Sequence, residues 1–74
     1  MSLAHAPCET RLRITHVRPG SRLSLRLMEM GFVEGAQVQV LRRAPLGDPL
    51  HVRLGDYELS LRSSEAELVD VASL

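Results

Sequence analysis

Apolar and polar positions alternate where the chain first shows order. Leu12, Ile14 and then Val17 are interleaved with Arg13 and Thr15, and this predicts a first strand over Leu12–Val17. Residues 1–10 show no period and contain Pro7, so they read as a flexible tail, leaving a single domain over 11–74. Arg18-Pro19-Gly20 breaks the strand. Ser21 then stands where its hydroxyl can accept from an amide of a first helical turn. From Arg22 to Met30 there is no Gly, Pro or β-branched residue. Leu23, Leu27 and Met30 recur at helical spacing, with Leu25 and Met28 on a neighbouring stripe, and Gly31 suits the left-handed stop. Arg26 and Glu29 are spaced for an i, i+3 pair. A turn at Glu34-Gly35 leads to a period-two strand over Ala36–Val40, which Arg42 and Arg43 end.

Leu50–Leu54 and Tyr57–Leu61 flank Gly55-Asp56, the pattern of a two-residue type II′ hairpin. That turn sets Leu54 against Tyr57, Val52 against Leu59 and Leu50 against Leu61. On the other face it sets His51 against Ser60 and Arg53 against Glu58. Ser63–Glu67 predicts one helical turn, with Ser64 and Glu67 at capping-box spacing, and Leu68–Ala72 a last strand. Five short strands and one helix predict a small closed or partly closed barrel.

Between the second and third strands stands Ala44-Pro45-Leu46-Gly47-Asp48-Pro49. Pro at the second position and Gly at the fourth suit a type I turn, so the loop is stiff and Leu46 is its tip. A leucine held out on a rigid support docks at low entropy cost. Alternatively it folds back over the barrel mouth as a lid. The residues leave both open.

Composition narrows the functions. Nine arginines balance nine acidic residues, and there is one Phe, one Tyr and no Trp. Nucleic-acid binding is not expected, for want of basic excess and stacking aromatics. No apolar run approaches the roughly 20 residues that cross a bilayer, and no secretion signal is seen, so a cytoplasmic protein without membrane insertion is expected. His5, His16 and His51 lie in unrelated contexts, outside any nucleophile elbow or Cys/His signature, and no enzyme is expected. His5 and Cys8 form one H-x-x-C pair, half of what a structural zinc site needs. No cofactor is required. An adventitious divalent metal between two chains is the weaker alternative, with His51 or His16 beside a carboxylate as half a site.

The succession from Leu25-Arg26-Leu27-Met28 through Gly31, Gly35, Val38–Val40, Ala44–Pro49, Leu59–Arg62 and Glu65-Ala66 resembles the FeoA family, ferrous iron transport protein A. The resemblance covers about residues 11–72 as an ordered set of motifs. Where that family often has Pro-Gly before the second strand, this chain has Glu34-Gly35. The resemblance implies an SH3-like β-barrel. It also implies a small cytoplasmic accessory of the bacterial ferrous iron transporter, peripheral at the inner membrane through that transporter. The large membrane subunit, with its cytoplasmic GTPase region, would be the partner. On that reading Leu46, Leu25, Met28 and Arg26 are the candidate contact residues. The wide apolar helix stripe would equally serve a homodimer. A regulatory domain of the iron-dependent repressor type is the alternative, although the helix-turn-helix and metal-sensing domains that accompany it are not in this chain.

Overall fold

The hairpin turn sets the register of the sheet. In the computed structural model, which describes all 74 residues, Gly55 has φ 60° while Asp56 stays at negative φ, as a type II′ turn requires. All five cross-strand pairs that this turn dictates are present, from Leu54 opposite Tyr57 to Leu50 opposite Leu61. These strands are β3 (Leu50–Leu54) and β4 (Tyr57–Leu61). With β1 (Leu12–Val17), β2 (Gln37–Arg43) and β5 (Val69–Ser73) they form one antiparallel sheet in the order β4-β3-β2-β1-β5. Helix α1 spans Arg22–Glu29 and the short α2 spans Ser63–Ala66.

Two strands carry irregularities in register, β2 between Val40 and Arg42 and β1 between Ile14 and His16. An extra residue on one strand bends it and tightens its twist. The first of these lets β2 run on through Arg42 and Arg43, which were expected to end it. Inside lie Leu12, Ile14, Val38, Val40, Leu50, Val52, Leu61, Val69 and Val71, with Leu27 and Phe32 brought in by α1 and the segment after it. Tyr57 departs from the apolar face expected of it. It sits on the edge strand, 45% exposed, and its hydroxyl donates to the Met30 carbonyl.

The N-terminal residues are not a tail. Leu3–His5 forms a 3-10 turn, and Leu3 and Ala6 are buried in the same core as the strands. The Val71 amide donates to the Met1 carbonyl, and Ser2 bridges to Asp70, so this segment covers part of the β5 edge. From the other side the Arg43 guanidinium donates to the carbonyls of Ala4 (2.7 Å) and Ala6 (2.5 Å). Local sequence could not announce this. The partners lie nearly forty residues or more away, and three small or apolar residues carry no period.

Two local side-chain pairings also differ from expectation. Helix α2 is closed by the Glu65 carboxylate accepting from the Arg62 amide (2.9 Å), two residues earlier than the Ser64–Glu67 spacing suggests. Arg26 and Glu29 form no ion pair within α1.

Candidate docking surface

Helix α1 is held by its first turn. Ser21 Oγ accepts from the Ser24 amide, Ser24 Oγ accepts from the Ser21 amide, and each bond is 3.2 Å. Ser24 is buried, and its hydroxyl also donates to the Ser21 carbonyl (2.8 Å). This reciprocal arrangement satisfies orphan donors in a helix of only eight residues, which needs packing to persist. The helix ends at Met30 and Gly31. Gly31 has φ 108°, and a Cβ there would stand 3.3 Å from Leu54 Cδ2.

Burial of Leu27 fixes which side of α1 faces out. Leu23 and Met30 are half-buried, while Leu25 is 59% and Met28 39% exposed. With Pro19, Ser21 and Arg22 they line an open depression of about 430 Å³. Arg26 is exposed on the same helix.

The loop after β2 behaves as its prolines imply. The Gly47 amide donates to the Ala44 carbonyl (2.7 Å), closing the turn, and the Ala44 amide donates to the Pro49 carbonyl (3.1 Å). The loop is also braced from outside. The Ser63 amide donates to Asp48 Oδ1 (2.9 Å), and the Ser63 hydroxyl to the Gly47 carbonyl (3.3 Å). Leu46 is 96% exposed at the tip, so it is not a lid. Both the braced loop and α1 adjoin α2, through Ser63 and through packing.

The histidines and the cysteine are dispersed. His5 and Cys8 are exposed on the N-terminal segment, and His16 stands opposite Asp70 across β1 and β5. Asp70 is taken by Arg18, whose Nη2 lies 3.1 Å from Oδ1. That bond holds the carboxyl below its ordinary range and raises the guanidinium. His51 Nε2 lies 2.8 Å from Glu58 Oε1, and Arg53 Nη2 donates to Glu58 Oε2 (2.9 Å). These two bonds, His51's first, hold the Glu58 carboxyl below its ordinary range. No three His, Cys, Asp or Glu side chains converge. No helix is long and apolar enough to cross a membrane.

Sequence reasoning missed two arginines with structural duties. Arg43 clamps the N-terminal segment and Arg18 joins the end of β1 to β5. Their partners are 37 and 52 residues away, and no local signal marks them.

The family model described as the FeoA domain matches residues 1–73. Among curated proteins, a Fe(2+) transport protein A/Fe(2+) transporter FeoB fusion protein of Porphyromonas gingivalis is 46% identical over 46 residues. That match takes in 62% of this chain and spans only 6% of the fusion protein. Among solved structures, the FeoA-like protein from Clostridium acetobutylicum is 34% identical with a TM-score of 0.93, covering 100% of this chain and 86% of that one. The zinc complex of FeoA from Stenotrophomonas maltophilia, an SH3 domain protein, is 34% identical with a TM-score of 0.86, covering 97% and 89%.

Proposed function

Because this chain belongs to the FeoA family, with its SH3-like fold, we propose that it is a non-catalytic accessory of ferrous iron uptake. It acts on the cytoplasmic side by docking on the GTPase-bearing part of the membrane transporter. Leu46 carries the reading: an almost fully exposed leucine on a loop closed by its own turn and braced by Ser63. A side chain presented that way loses little entropy on entering a partner's pocket. Leu25 and Met28 add exposed apolar area on α1, and Arg26 supplies a fork for a partner's carboxylate. The fusion of a similar domain to FeoB in one relative supports the choice of partner, since a fused pair stays at high local concentration.

The test is binding to the transporter's cytoplasmic region by wild type beside Leu46→Asp and Met28→Asp. Loss of binding with the fold retained is the expected result. Unchanged binding in both variants would remove this surface from the account.

A second reading rests on the 2.8 Å His51–Glu58 pair, which could supply half of a divalent metal site shared between two chains. The zinc complex of the Stenotrophomonas relative favours it. Against it, Arg53 already holds the other Glu58 oxygen and sets a positive charge beside the site. A solution mass that stays monomeric through a zinc titration would reject it.

A further inference from the structure

We propose that the outward face of β1, β2 and β3 rests on an anionic, phosphate-bearing lipid surface. The chain has no net charge, yet its charges are not evenly spread. On β1 and the residue before it, Leu12 and Ile14 point inward, so Arg11 and Arg13 point outward. Across the sheet, Arg13 pairs with Gln37 and Gln39 pairs with Arg53. Arg42, opposite His51, extends the row. Two carboxylates flank it, Glu58 opposite Arg53 on β4 and Asp70 opposite His16 on β5, each already held by an arginine, and Glu9 and Asp56 sit at the rim.

Arg11, Arg13 and Arg42 have no ion-pair partner and donate to no protein acceptor, whereas Arg18, Arg43 and Arg53 are all engaged. Arg11, Gln37, Gln39 and Arg53 line a shallow depression of about 290 Å³. Guanidinium forks and amide donors around a concavity suit phosphate oxygens, which Arg meets two at a time.

What this face lacks points to its occupant. Its outward side chains are chiefly Arg, Gln and His, and the large apolar group that adjoins it is Leu74 at its border, whose amide donates to the Arg11 carbonyl. The centre of a protein interface is apolar and depleted of charge, and this face is the reverse. The exposed apolar residues Leu25, Met28 and Leu46 lie on other elements. A headgroup layer needs charge and no anchor pocket. The contact would orient a domain that the transporter keeps beside the bilayer. It rests on the proposed docking only for that proximity, and the vesicle measurement that tests it omits the transporter.

The experiment sediments the 74-residue chain with vesicles of phosphatidylcholine alone and of phosphatidylcholine with phosphatidylglycerol, at low and at physiological salt. Binding is expected only to the phosphatidylglycerol vesicles, and it should weaken as salt shortens the screening length. Each arginine at such a surface is worth about fivefold, so Arg11→Gln/Arg13→Gln/Arg42→Gln should bind about a hundredfold less. Arg22→Gln/Arg26→Gln, on α1, should bind as wild type. Circular dichroism and a thermal melt confirm that each variant is folded.

Equal loss in both variants would mean that binding follows overall charge, and would overturn the assignment of this face. No binding to phosphatidylglycerol vesicles at low salt would overturn the proposal outright. If the triple variant instead lost binding to the transporter's cytoplasmic region, the face would belong to an acidic protein surface. Loss of transporter binding in Leu46→Asp alone concerns the docking surface and leaves this face unaffected.

Discussion

Replacing Leu3 by alanine separates a frayed tail from a structural segment. Leu3 has no solvent exposure and belongs to the same core as Leu12, Val69 and Val71. Its segment is held at the Ala4 and Ala6 carbonyls by Arg43 and at the Met1 carbonyl by the Val71 amide, so it cannot simply collapse into the space left. Truncating a fully buried leucine costs its transfer free energy plus a cavity term, about 2–4 kcal/mol here. For a domain of this size each kcal/mol moves Tm by about 4–8 °C, so the melt should fall by at least about 8 °C. Urea denaturation followed by circular dichroism measures the loss directly, with an unchanged m-value if the unfolded state is unaffected. Arg43→Gln provides an independent arm. It keeps a donor but removes the charge and the fork, and charge-assisted bonds to two carbonyls should make its loss about 1.5–3 kcal/mol. A Leu3→Ala protein within about 0.5 kcal/mol of wild type, the range of an exposed position, would refute the packed N-terminal segment.

Three more outcomes follow from the same contacts. Leu46→Asp should leave stability within about 0.5 kcal/mol of wild type, since the side chain touches solvent almost everywhere. A larger loss in a urea melt would mean that Leu46 is packed. Gly31→Ala should cost about 1–3 kcal/mol, because it combines φ 108° with a Cβ pressed to 3.3 Å from Leu54; a neutral melt would deny that geometry. Glu58 and Asp70 have carboxyls held below their ordinary range, so the unfolded chain takes up protons first as pH falls. Their contribution is therefore complete above the usual carboxylate range near about pH 4, and is lost as pH drops through the lowered folded values. Stability measured against pH should fall less steeply in acid for Glu58→Gln and Asp70→Asn than for wild type, and an identical slope would contradict the ion pairs.

How far the sequence could be read depends on how locally each feature is determined. The β3–β4 hairpin was legible to the residue because Gly55-Asp56 suits a two-residue type II′ turn, and a loop of that length fixes every pair. Ser21 and Gly31 likewise mark the ends of α1 through chemistry confined to one turn. The run of β2 past Val40 was not legible, since the irregularity beside Arg42 depends on its pairing with β3. The N-terminal segment was hidden for the same reason, as its hydrogen-bond partners Arg43, Asp70 and Val71 and the core that buries Leu3 all lie far along the chain. At the candidate surface, Leu25 and Met28 could be placed on a second stripe, but their exposure follows from which stripe the core took. The direction of Leu46 was undetermined until Ser63 braced the loop.

Docking is tested most directly by titrating the purified chain into the transporter's cytoplasmic region by calorimetry, with and without guanine nucleotide. The account predicts saturable binding whose affinity changes with the nucleotide and which Leu46→Asp abolishes. Heats of dilution alone in every nucleotide state would contradict it.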